Sequence, residues 1–172
     1  MRSRHFTVAA LACLALAGCG DDDSGSDKET AAKKTDTQEK APPLKPSGEL
    51  SKKPKVERPS GPAPKELVKE DLVKGKGPAA KAGDTVRMQY VGVNYDDGKE
   101  FDSSWKRNQP FEFQLGAGMV IPGWDEGIEG MRVGTRRRLV IPPDLAYGAE
   151  GSPPAIGPNE TLIFVVDLVG IG

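Results

Sequence analysis

Apolar positions along the chain fall into three regimes. Thr7 to Ala17 is an almost unbroken apolar run of about eleven residues, preceded by Arg2 and Arg4. From residue 20 to 64 apolar positions thin out. This stretch of 45 residues carries 18 charges, nine of each sign, with seven prolines and no aromatic side chain. After residue 64 the apolar positions return in strand-like spacing. Thr85 to Tyr90 alternates and places Val86, Met88 and Tyr90 on one face. Asp97-Gly98 predicts a turn between Tyr95 and Phe101. Phe111, Phe113 and Leu115 alternate again, and Arg136 to Ile141 predicts a strand whose basic start faces solvent at least in part. Thr161 to Val169 is a long β-branched run with the character of a central strand. One short helix is predicted over Trp124 to Met131, just after Pro122, with Trp124, Ile128 and Met131 on one face. Strands around one helix imply an α+β fold, an antiparallel sheet with the helix on one face.

The first two regimes read as an address and a tether. The run from Thr7 is too short to span a bilayer core, which takes about twenty residues, and it fits the apolar region of a secretory signal. It ends in Leu16-Ala17-Gly18-Cys19, which resembles a bacterial lipobox. That resemblance implies a lipoprotein signal peptide over 1–18 and a lipid-modified Cys19 that anchors the chain to the bacterial cell membrane, outside the cytoplasm. Residues 19–64 then form a disordered tether, because so polar a stretch cannot bury enough apolar surface to offset its ordering entropy. A flexible coil of that length spans roughly 35–40 Å. The globular domain is expected over 65–172. Asp21-Asp22-Asp23 does not begin a calcium loop, since Ser26 and Ala32 stand where glycine and glutamate are required.

Composition narrows the chemistry. The one histidine and both cysteines are His5, Cys13 and Cys19, so the remaining 153 residues contain neither type. No Ser-His-Asp or Cys-His nucleophile can form there, and no zinc site of Cys/His type. Gly116-Ala117-Gly118 lacks the third glycine of a nucleotide fingerprint, because Ile121 stands in its place. A formal net charge of −1 argues against nucleic acid as a partner. Nine of the ten aromatics lie after residue 64. Aromatics in strands are usually core side chains, yet several here adjoin turns that carry polar groups. An apolar pocket with a few convergent polar groups is the alternative to a plain core.

The order of motifs carries a family resemblance. Tyr90-Val91-Gly92 is followed by Asp97-Gly98-Lys99-Glu100-Phe101-Asp102-Ser103-Ser104 and Pro110-Phe111-Glu112-Phe113. Then come Gly116, Val120-Ile121-Pro122-Gly123-Trp124-Asp125-Glu126-Gly127, Met131, Val133-Gly134, Ile141-Pro142-Pro143, Ala146-Tyr147-Gly148 and the stretch from Asn159 to Asp167. From about Val73 to Val169 the chain resembles the macrolide-binding FKBP-type peptidyl-prolyl cis/trans isomerases. The resemblance implies a five- to six-stranded antiparallel half-barrel sheet wrapped on one short helix, and a monomer. It implies a proline pocket floored by Trp124, with Tyr90, Phe101, Phe111, Val120, Ile121, Tyr147 and Phe164 as walls. Within it the Ile121 N–H and the Tyr147 hydroxyl donate to substrate carbonyls, Asp102 is the polar wall, and Ala155 and Ile156 lie on the loop over the mouth. Ser152 departs from the histidine or aromatic that many relatives carry on that loop. Expected partners are proline-containing unfolded or exported polypeptides and macrolide inhibitors, with no metal and no cofactor. The reading is an isomerase assisting folding of exported proteins at the membrane surface; the alternative is a non-catalytic proline-peptide-binding module or holdase using the same pocket.

Overall fold

The computed structural model describes residues 48–172. The expected signal peptide, the expected lipid site Cys19 and the expected tether through residue 47 lie outside the described residues. The strands are β1 Val68–Val73, β2 Thr85–Asn94, β3 Glu100–Ser103, β4 Phe111–Gln114, β5 Arg136–Ile141 and β6 Leu162–Ile171, with helix α1 at Pro122–Ile128. They form one open antiparallel sheet in the order β1-β5-β6-β2-β3, and β4 pairs with the first half of β2. The α+β class expected from the pattern is what the chain adopts.

Strand alternation sorts the core onto two faces. On the inner face Val86, Met88 and Tyr90 of β2 meet Leu139 and Ile141 of β5, the even-numbered residues from Leu162 to Leu168 of β6, and Trp124 and Ile128 of α1. On the outer face Val91, Val93, Tyr95, Val140 and Ile163 form a second cluster. β6 lies between β5 and β2 and is buried at nine of its ten residues, which is why its sequence is apolar without alternation. The helix backbone lies close to β5. A Cβ on Gly127 would stand 2.8 Å from Leu139 Cδ1, closer than side chains tolerate.

One local feature differs from expectation, and two others add to it. The helix stops at Ile128 rather than Met131, because Gly130 turns the chain with φ +75° and the Met131 N–H returns to the Ile128 carbonyl at 2.9 Å. Met131 is nonetheless fully buried. β1 has no apolar alternation, since it is an edge strand with five of its six residues exposed. It is held by pairing with β5 and by ion pairs from Asp71 to Arg137 and from Glu70 to Arg138. The start of β5 faces solvent only in part, at Arg137 and Arg138. Arg136 is 8% exposed and forms a two-pronged pair with Asp167 of β6, at 2.6 and 2.7 Å.

That buried pair explains a larger correction. Residues 48–64, expected to belong to the tether, lie on the domain as a strap. Leu50 and Pro54 are buried, and Val56 packs on the outer cluster. The Lys52 carbonyl accepts a hydrogen bond from Arg136 Nη2 at 2.9 Å, and Lys53 pairs with Glu100 at 2.7 Å. The Arg58 guanidinium lies 5.5 Å from the Tyr95 ring centroid, and the Tyr95 hydroxyl reaches the Gly61 and Pro62 carbonyls. Composition alone marks these residues as unable to form a core of their own. They need none, because the outer face of the sheet provides one. The expected consequence is that trypsin trims the full chain but spares the bonds after Lys52 and Lys55. Leu50→Asp opens both sites and lowers unfolding free energy by about 2 kcal/mol in urea titration, the scale for exposing one leucine; equal cleavage in both proteins would rule out a docked strap.

Candidate functional site

The site grows from one missing side chain. A Cβ on Gly92 would stand 2.7 Å from both the Phe101 and the Phe164 rings, so glycine there lets two aromatic rings close over β2. Phe101 and Phe164 meet edge to face at 5.5 Å. Phe164 meets Trp124 in the same way at 5.3 Å, and Tyr90 meets Trp124 at 5.1 Å and 83°. Such crossed geometries suit the ring quadrupoles and fix the indole firmly. Trp124 stands in the first turn of α1 and is 4% exposed, so its ring forms the bottom of a cavity of about 630 Å³. That volume suits a short peptide segment or a small organic ligand.

Two loops complete the walls. Between β4 and α1, the Asp125 carboxylate accepts from the Gly116 N–H at 2.8 Å and the Gly118 N–H at 3.2 Å. This clamp holds the residues that follow, Met119, Val120 and Ile121, along the cavity. The Ile121 carbonyl is taken by the Trp124 N–H at 2.9 Å, but the Ile121 N–H has no partner among the described residues. After β5, a turn brings Tyr147 to the rim, where it is 41% exposed and its hydroxyl also has no partner among the described residues. Ser152, Ala155 and Ile156 form the far side of the mouth, and the Ser152 and Ile156 backbones bond to each other in both directions at 3.0 Å.

The polar corner is a closed network. The Tyr90 hydroxyl donates to Asp102 Oδ2. Arg107 donates from Nη1 to Asp102 Oδ1 at 2.7 Å and from Nη2 to the Tyr90 oxygen at 2.6 Å, while the Ser103 N–H donates to Asp102 Oδ1 at 2.7 Å. Burial opposes ionisation of Asp102, but the hydrogen bonds from Tyr90, Arg107 and Ser103 and the Arg107 charge outweigh it and hold the carboxyl below its ordinary value. Burial first, and then the Asp102 carboxylate, push the Tyr90 hydroxyl up to about 12. Tyr147 is pushed up as well, by burial and by the Asp102 charge.

All eleven pocket residues named from the sequence line this one cavity: Tyr90, Phe101, Asp102, Ile121 and Tyr147, together with Phe111, Val120, Trp124, Ala155, Ile156 and Phe164. Two further lining residues were not anticipated, Arg107 and Met119. Arg107 reaches Asp102 only because a single helical turn over Ser104–Arg107 folds it back, and no spacing rule flags such a turn. Met119 is 66% exposed, and neither apolar period marks it. Among the described residues, no group of three or more His, Cys, Asp or Glu side chains could hold a metal ion.

Residues 77–169 match the family described as FKBP-type peptidyl-prolyl cis-trans isomerase. The chain belongs to that family. As an FKBP-type isomerase it is 54% identical over 120 residues to the FK506-binding protein of Streptomyces anulatus, covering 69% of this chain and 97% of that one. It is 50% identical over 117 residues to a probable FK506-binding protein of Corynebacterium glutamicum, covering 68% and 97%. The crystal structure of AtFKBP13 superposes with a TM-score of 0.59 at 39% identity, over 64% of this chain and 96% of that one. The match to the Streptomyces protein is longer than the 108 residues from Lys65 to Gly172, so it reaches back into the strap. The family's activity is peptidyl-prolyl cis-trans isomerisation, and it needs no cofactor.

The electrostatics of the pocket predict the pH dependence of this FKBP-type isomerase. Asp102 titrates below the usual ~4 of a carboxylate, and Tyr147 and Tyr90 above the usual ~10 of a phenol. Arg107 is raised by its bonds to Tyr90 and Asp102. With no histidine in the pocket, kcat/KM is expected to be flat from about pH 5 to 9. An inflection inside that range, measured with a proline peptide, would show that a group outside this network controls the rate.

Proposed function

We propose that this isomerase acts outside the cytoplasm, held to the bacterial cell membrane by a lipid on Cys19, on proline-containing segments of exported polypeptides. Rotation about an X–Pro bond faces a barrier of ~18–20 kcal/mol that comes from amide resonance, and uncatalysed exchange takes tens to hundreds of seconds. No bond is broken, so neither nucleophile nor metal is called for. What lowers the barrier is tighter binding of the twisted amide than of either planar form. An aromatic pocket excludes water from the proline ring and removes solvation of the polar planar amide.

The observation that carries this reading is the pair of unpartnered donors on the cavity wall, the Ile121 N–H and the Tyr147 hydroxyl. In the proposed complex they hold substrate carbonyls in the twisted geometry. Asp102, kept ionised by its network, forms the polar wall near the rotating carbonyl. Trp124 lies beneath the proline ring, with Phe101, Phe111, Val120 and Phe164 around it and Ala155 and Ile156 at the mouth. The relatives named as FK506-binding proteins extend the reading to macrolides such as FK506, which would fill the same cavity in competition with peptide. Export and anchoring rest on the basic start, the apolar run and Leu16-Ala17-Gly18-Cys19.

Two measurements test the proposal. Tyr147→Phe keeps the ring and removes the donor, so kcat/KM is expected to fall about tenfold, equivalent to ~1.4 kcal/mol, by exchange spectroscopy on one proline peptide. Phe101→Ala, which also opens the pocket wall, falls further. Unchanged rates in both would remove the pocket from the mechanism. In cell fractionation, Cys19→Ala is expected to leave the membrane pellet; if it stays there, the anchor is something other than a lipid on that cysteine.

A further inference from the structure

Asn94 is the next inward position of β2 after Tyr90 and Gly92, opposite Leu162 of β6. It is 5% exposed, and its amide is only half satisfied. Nδ2 donates to the Ala155 carbonyl at 3.1 Å, while Oδ1 is buried with no partner among the described residues. A half-satisfied buried amide is less favourable than an apolar side chain of similar size at the same place. Stability does not account for the residue, so its bond to Ala155 becomes the point of interest.

That bond spans 61 positions in sequence. The Ser152 and Ile156 backbones close a small ring with each other, and Ala155 lies within it. Among the described residues, the Asn94 amide makes the one hydrogen bond that ties residues 152–156 to the sheet. Ser152, Ala155 and Ile156 are the mouth of the pocket, and Ile156 is 5% exposed. With that polar tie released, the ring is held to the sheet by the packing of Ile156 in the inner core and opens more readily.

We propose that Asn94 is a positioning residue for the isomerase reaction: it touches no substrate, and it holds the Ala155–Ile156 rim over the proline pocket. This rests on the isomerase reading of the cavity. The rim acts on substrate that is already seated, in ground state and transition state alike. Loosening it weakens uniform binding and raises KM while kcat changes little.

The test is Asn94→Leu in the full chain. Its melting temperature is expected to match or exceed that of the parent protein, because the unpaired Oδ1 is gone. KM for a proline peptide rises about threefold to tenfold with kcat within about twofold. Amide exchange at Ile156 speeds up by about tenfold or more, while the β6 amides are unchanged. Asn94→Ala reports the same split should leucine prevent folding. Unchanged KM and unchanged Ile156 exchange would overturn the proposal, and so would a parallel fall of KM-independent rate and melting temperature, which marks a merely structural residue. If the parent protein itself fails to isomerise the peptide, the isomerase reading fails, and Ile156 exchange alone then decides the role of Asn94.

Discussion

A helix of seven residues cannot stand by itself in water. α1, Pro122–Ile128, exists because Trp124 and Ile128 bury against the sheet and because Gly127 lets its backbone approach β5. The contact that holds the helix is also the floor of the pocket. Trp124 is gripped edge to face by Tyr90 and Phe164, which project from the two longest strands. Stability and site therefore share one set of ring contacts. A substitution that loosens the indole disturbs the helix, the sheet face beneath it and the surface on which a proline ring would rest.

Around that apolar floor the charges are arranged so that none titrates near neutrality. Asp102 is surrounded by donors from Tyr90, Arg107 and Ser103 and remains ionised despite partial burial. Tyr90 remains protonated for the complementary reason. The corner is a fixed dipole rather than an acid or a base. Such a corner suits a reaction in which an amide twists and no proton moves, since its field is already in place and does not reorganise.

The outer face of the sheet has a different task. Its apolar cluster and the Arg136–Asp167 pair would meet water if the strap were absent. A buried ion pair is tolerable only with its remaining hydrogen bonds satisfied, and the Lys52 carbonyl supplies one of these. The strap leaves the inner face and its cavity untouched.

Local pattern and tertiary packing divided the information in a way that physics explains. The α+β class, the β2–β3 hairpin at Asp97-Gly98 and the buried central β6 were legible, because alternation and turn chemistry are short-range properties of the chain, while the membership of the pocket was legible only through the resemblance to a known family. Three things were not. Polar β1 is a strand only because β5 offers it a ladder and two arginines. The proline-rich, charged strap buries Leu50 and Pro54 and packs Val56 on an apolar face that the sheet supplies, so a composition rule that counts its own core-forming residues misjudges it. Arg107 and Asn94 take their roles from partners 17 and 61 positions away. The sequence by itself determined which side chains could do chemistry, by leaving no histidine or cysteine after residue 19 and a full set of aromatics. Only the tertiary structure decided which polar groups remain unpartnered at the pocket and which are consumed in holding its walls, because a hydrogen bond is a fact about geometry between distant segments.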